Sequence, residues 1–111
     1  MQFRATHRFA DISPLKARDV IDLIRGKHVN DALRTLRATN KRASYMIDKV
    51  LRSAMANADQ SLEADMVNLR VKEACVDIGP RRRKGRFRAR GRFTMIKSLS
   101  SHIRILLDDT P

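Results

Sequence analysis

Residues 67–78, VNLRVKEACVDI, and residues 101–107, SHIRILL, decide how this chain folds. In the first stretch Val67, Leu69 and Val71 share one phase of an alternation and Ala74, Val76 and Ile78 share the other, so the pattern has period two but slips by one residue at Lys72-Glu73. Period two marks a half-buried strand, and a slip of one residue within it marks a β-bulge, which bends the strand, here where it is expected to leave the body. In the second stretch Ile103, Ile105 and Leu107 alternate again, at the end of a strand that can run from Phe93 to Leu107. The two segments pair only by folding around residues 79–92, GPRRRKGRFRARGR, whose tip from Gly79 to Gly91 holds too little apolar material to build a core. The expectation is a long β-hairpin with the alternation in its stem and the charge at its tip.

Outward from the hairpin, the N-terminal side supplies the rest of a domain. From Gln2 to Phe9 the residues alternate, with Phe3, Ala5, His7 and Phe9 on one face, which predicts a first strand. Ser13-Pro14 starts a helix, the hydroxyl free to cap and the proline harmless at the first helical position, and Gly26 stops it after Arg25. Its apolar stripe is Ala17, Val20, Ile21 and Ile24. Asn30 is placed to cap a short second helix with Ala32, Leu33 and Leu36, and Asn40 to cap a third from about residue 41 to 59. That third helix carries the stripe Ala43, Ile47, Val50, Leu51, Ala54 and Ala58, and its small residues at 53–58 suit close approach by a sheet. Strand, three helices, then strands gives an α+β fold: three helices packed on a small three-stranded antiparallel sheet, with a long protruding β-hairpin. Residues 1–111 form one domain, with a body at approximately 1–72 and 102–111, an arm at approximately 73–101 and an arm tip at 80–92.

A chain of 111 residues supports one modest core, and with four Phe, one Tyr and no Trp that core is aliphatic, and a stacking platform for single-stranded bases is not expected. Twenty-four Lys and Arg against twelve Asp and Glu give a net charge of +12, of which residues 81–92 hold +8 without one acid. Such a local excess points to a polyanion, and nucleic acid is the leading candidate. The guanidinium groups of this segment offer fork-shaped donors to phosphate oxygens and can lie flat on bases. Their mutual repulsion and the glycines predict a tip that is loose alone and ordered by phosphate. Six to eight neutralised phosphates would make log K fall against log salt with a slope of roughly −4 to −7.

A lone cysteine, Cys75, excludes an internal disulfide framework and a Cys-cluster metal site, and suits a reducing, cytosolic setting. No apolar run approaches the length that spans a bilayer, and no signal-peptide core opens the chain, so neither membrane insertion nor secretion is expected. His7, His28 and His102 lack ligand spacing, and no phosphate loop, nucleophile elbow or paired-carboxylate site can be assembled. The expectation is therefore no metal, no cofactor, no small-molecule substrate and no catalysis.

The pattern Arg83, Arg88-Ala89, Gly91-Arg92, then His102-Ile103, Ile105 and Leu107 resembles the signature of large-subunit ribosomal protein family twenty-two. Further resemblance lies in Ser13-Pro14 with Lys16-Ala17-Arg18, in Ile24 to Lys27, in Ser53-Ala54 with Ala56 to Ala58, and in Val76-Asp77 with Gly79-Pro80, in order along nearly the whole chain. The resemblance implies a structural, non-enzymatic constituent of the large subunit in the cytoplasm, an organellar ribosome being the other setting. It implies a body near the peptide exit and an arm that reaches through 23S-type rRNA, bridges rRNA domains during assembly and lines the exit tunnel.

Carried onto this chain, the rRNA-binding arm residues are Arg81, Arg82, Arg83, Lys84, Arg86, Arg88, Arg90, Arg92 and Lys97, and the body residues are Arg4, Arg8, Lys16, Arg18, Arg25 and Lys27. The tunnel-facing tip is Gly85, Arg86, Phe87, Arg88 and Ala89, and the partners are rRNA, neighbouring large-subunit proteins and the nascent polypeptide. Family members commonly carry an apolar residue or proline where Gly85 and Phe87 stand, and basic residues where Ser98 and Leu99 stand, so this tip is more arginine-rich and its return strand less basic. Two other classes compete: a nucleoid-type architectural protein, distinguished by dimerisation and equal affinity for duplex DNA, and an enzyme acting on phosphorylated substrates, which would need an acid, base or nucleophile cluster.

Overall fold

The computed structural model describes residues 1–110, with the side chains of Ile96 and Lys97 outside the description. Its elements are β1 (Gln2–Ala10), α1 (Pro14–Ile21), α2 (Val29–Ala38), α3 (Arg42–Asp59), β2 (Arg70–Ile78), β3 (Arg82–Phe87), β4 (Phe93–Ser98) and β5 (Ser101–Asp108). The alternation at 103–107 becomes the centre of the sheet, because β5 pairs antiparallel with β1 on one side and β2 on the other. The register stacks Phe3, Leu107 and Val71 in one row and Ala5, Ile105 and Ala74 in the next, all buried. Rows of apolar partners on one face are what stabilise a sheet, each Val, Leu, Ile or Phe side chain contributing about 1.5–3 kcal/mol when fully buried.

All three helices cover that face. Their buried residues are Ala17, Val20 and Ile21 on α1, Val29, Ala32 and Leu36 on α2, and the stripe from Ala43 to Ala58 on α3. Ala54 and Ala58 let α3 come close to β1, near enough for Asn57 to donate from Nδ2 to the Arg4 carbonyl at 2.9 Å. The fold is the α+β arrangement expected, a three-stranded sheet with helices on one face and a separate two-stranded ribbon, β3 with β4.

Several local readings need correction. The phase slip at Lys72 is a bulge, the register jumping between Val71 and Glu73, yet β2 stays paired with β5 as far as Ile78 opposite Ser101. The ladder stops only at Pro80, which has no N–H to give it, so the turn from body to arm falls near residues 79 and 100 instead of 73. There Gly79 donates to the Ser100 carbonyl at 2.9 Å and Ser100 Oγ to the Pro80 carbonyl at 2.7 Å, splitting the return segment into β4 and β5. Val67 and Ile78, assigned to the buried phases, are exposed.

A second bulge lies in β1, where Phe9 takes a left-handed backbone (φ 58°) and turns out to 64% exposure, and Ala10 fills the core position instead. Helix α1 ends at Ile21, four residues short, because Leu23 and Ile24 bond back three residues and Gly26, at φ 81°, turns its N–H to the Val71 carbonyl. Ser13 makes no side-chain cap. The cap of α2 is His28, whose Nδ1 accepts from the Asn30 amide while Nε2 contacts the Val67 carbonyl at 2.6 Å. Lys41, extended, precedes α3, so Asn40 stands one residue too early to cap it.

β2 is an edge strand, and an edge strand presents unpaired backbone groups. The segment after α1 closes one end of that edge, with Val71 donating to Lys27 and Val29 to Leu69. Two arginines of α1 and its following turn close the rest. Arg18 donates from Nε and Nη2 to the Val76 carbonyl at 3.3 and 3.0 Å, and Arg25 likewise to the Ala74 carbonyl at 3.2 and 2.6 Å. The ribbon stretches the molecule to 64 Å and its radius of gyration to 17.3 Å, against about 13 Å for a compact chain of this length.

Candidate nucleic-acid interface

The ribbon is built on strand pairing. β3 and β4 run antiparallel from Arg82 opposite Ser98 to Phe87 opposite Phe93, and the turn between them uses two left-handed residues, Arg90 (φ 62°) and Gly91 (φ 73°). Alternation gives the ribbon two unlike sides. Arg82, Lys84 and Arg86 project from one, with Ser98 and Thr94 opposite the outer two. Gly85 and Phe87 lie on the other with Met95 and Phe93. The Phe93 ring crosses Gly85 where any Cβ would stand, and meets Phe87 edge to face with centroids 5.5 Å apart. This contact adds aromatic packing to the strand pairing, and Phe87 still exposes 83% of its surface.

Arg81, Arg82, Arg83, Lys84, Arg86, Arg88, Arg90 and Arg92 are all exposed, and among the described residues none of them forms an ion pair. Cations aligned at strand spacing, with no acid to neutralise them, generate a positive field that attracts a phosphate chain. The tip residues Gly85, Arg86 and Phe87 close β3, and Arg88 and Ala89 lead into the turn. Lys97 is on β4, and its side chain lies outside the described residues.

The six body cations do not gather into one patch. Arg4 and Arg8 are exposed on β1 and Lys16 on α1. Arg18 and Arg25 are spent largely on the β2 edge, Arg25 also pairing with Asp22 at 2.8 Å, and Lys27 reaches the Thr35 hydroxyl at 3.1 Å. Sequence reasoning passed over Lys41 and Arg42, which share a cleft of about 310 Å3 with Lys16. It also passed over Arg104, which occupies the polar phase between Ile103 and Ile105 and faces solvent beside Asp77 at 3.1 Å. The alternation that marked the core also marked Arg104 as outward; the Lys16 grouping required the packing of α1 on α3.

Among the described residues no group of three His, Cys, Asp or Glu could hold a metal ion, and no helix is long and apolar enough to cross a membrane.

Residues 5–108 match the family described as ribosomal protein L22p/L17e. The chain is 50% identical over 107 residues to the large ribosomal subunit protein uL22 of Carboxydothermus hydrogenoformans, covering 96% of this chain and 95% of that one. It is 48% identical over 109 residues to uL22 of Syntrophus aciditrophicus, covering 98% and 99%, and 49% identical over 107 residues to uL22 of Syntrophobacter fumaroxidans, covering 96% and 97%.

Proposed function

The chain belongs to the ribosomal protein L22p/L17e family, and from that premise we propose that its arm holds it in the large ribosomal subunit by neutralising rRNA phosphates. The protein is a structural constituent of the large subunit of the cytoplasmic ribosome and not an enzyme. Its arm, which leaves the body near residues 79 and 100 and carries its tip at 80–92, runs between segments of 23S-type rRNA that would otherwise repel one another, and so bridges rRNA domains during assembly. The tip, Gly85 to Ala89, lines the exit tunnel and meets the nascent polypeptide, while the body sits against rRNA and neighbouring large-subunit proteins. Arg4, Arg8, Lys16 and Lys27 anchor the body, with Arg18 and Arg25 adding charge from the β2 edge.

One observation carries this reading: eight exposed cations, none in an ion pair among the described residues, stand on a ribbon whose length is useless for burying a core. Charge of this kind is stabilised only by an equally dense array of anions. The test is deletion of residues 82–91. The body should melt unchanged, whereas affinity for rRNA and its salt slope of roughly −4 to −7 should collapse. After a moderate-salt wash the deleted protein should leave sedimented large subunits that keep about one copy of the parent; equal retention of both would end the proposal.

A further inference from the structure

Where the arm leaves the body, a cleft of about 420 Å3 opens between them, with Phe9 and Asp11 on the body wall, Arg82 and Lys84 on the arm wall, and Pro80 and Ser98 between. Phe9 is the odd residue in it. A bulky side chain rarely takes the left-handed backbone, which at such a bulge is ordinarily left to glycine. Here that conformation turns the phenyl ring out of the core row and into the cleft's wall. His102 holds it there, its Nδ1 accepting the Phe9 N–H at 3.0 Å and its ring meeting the phenyl edge to face at 5.0 Å. Strain of this kind, fixed by specific neighbours, is what a working position looks like.

The opposite wall supplies charge. Arg82 and Lys84, two residues apart on one strand, project from the same side of the ribbon and have no ion-pair partner among the described residues. The one acid in the cleft, Asp11, is engaged by Arg42 at 3.3 Å.

From these features, and resting on the RNA reading above, we infer that the cleft seats one unpaired RNA nucleotide, its base against the Phe9 ring and its phosphates on Arg82 and Lys84. Cations alone would serve any phosphate backbone. The aromatic wall selects a base whose face is free, which paired bases inside a helix do not offer. The ring also fixes the arm's base to RNA at a point separate from the tip.

The test measures binding of the full chain to full-length large-subunit rRNA across a salt series. Loss of one base stack lowers affinity by about five- to 150-fold, so Phe9→Leu should do this with the salt slope unchanged. Phe9→Gly should weaken binding equally, although it relieves the left-handed backbone and should melt no lower than Phe9→Leu. Arg82→Gln with Lys84→Gln should instead flatten the slope by roughly 1.4–1.8. In assembled subunits, Phe9→p-benzoylphenylalanine should photo-cross-link to an unpaired rRNA nucleotide. Phe9→Leu affinity within twofold of the parent, or cross-links to protein alone, would overturn the inference. Should Arg86→Gln with Arg88→Gln weaken binding while Phe9→Leu does not, only the cleft falls; should neither weaken it, the arm reading falls too.

Discussion

Replacing Arg18 and Arg25 together by Met tests whether these side chains serve the sheet edge before they serve any partner. Met keeps most of the aliphatic stem and removes the guanidinium, so the loss is chiefly that of four hydrogen bonds onto the carbonyls of Val76 and Ala74. Hydrogen bonds from a charged group contribute about 1.5–3 kcal/mol when well sheltered. The Arg25 side chain is 47% exposed and Arg18 only partly buried, so water recovers part of this and about 1 kcal/mol per arginine is a fair figure. A chain of 111 residues unfolds with an entropy of about 0.23 kcal/mol/K, so the pair is expected to lower the melting temperature by about 9 °C. Melting followed by circular dichroism reads the shift. Sedimentation velocity on the same samples should show self-association through the bared β2 edge. A shift below about 2 °C with a strictly monomeric variant would refute the argument and return both arginines to rRNA binding alone.

Gly79→Ala should disturb the junction of arm and body, because the new Cβ would lie 2.5 Å from Ser100 Oγ and 3.0 Å from the Ser100 carbonyl carbon. Overpacking against backbone costs about 1–3 kcal/mol, and adding Ser100→Ala should not restore the melting temperature, since the backbone clash remains. A pH titration of stability examines the end of the sheet. Asp108 is held below the ordinary carboxylate range chiefly by the Thr110 amide and hydroxyl, and Asp109 chiefly by the Met1 ammonium and then by the Asp65 amide. Both contribute stability above the ordinary aspartate value of 3.8 and lose it as pH falls through their lowered values. Melting curves below pH 4 should therefore depend less on pH in Asp108→Asn with Asp109→Asn than in the parent.

The fold was legible where a period could be read against a single partner. Ile103, Ile105 and Leu107 declared their strand, the stripe from Ala43 to Ala58 declared its helix, and the slip at Lys72 declared a bulge. Readings failed where the deciding partner lay far along the chain. Nothing in residues 2–10 announces that Phe9 yields the core to Ala10, because that exchange depends on His102 accepting the Phe9 amide. Nothing in residues 14–25 announces that Arg18 and Arg25 are tied down, because their acceptors exist only once β2 takes the edge of the sheet. The cations of the arm were fully legible, since a run without acids needs no neighbours to explain it. The aromatic side of the ribbon was not, because Phe87 and Phe93 become one surface only through the register that sets them opposite.

The central place of β5 has a consequence for the order in which the molecule comes into being. During synthesis β1 emerges first, yet its partner is made after every other strand, and Gln2 must wait for Asp108. Until residues 101–108 appear, β1 and β2 have no common strand to join them, and pairing so distant in sequence closes slowly. An unfinished chain therefore carries its basic segment without a sheet to present it. Only a chain translated through β5 can close its body, so the three-stranded sheet forms after residues 101–108 are made.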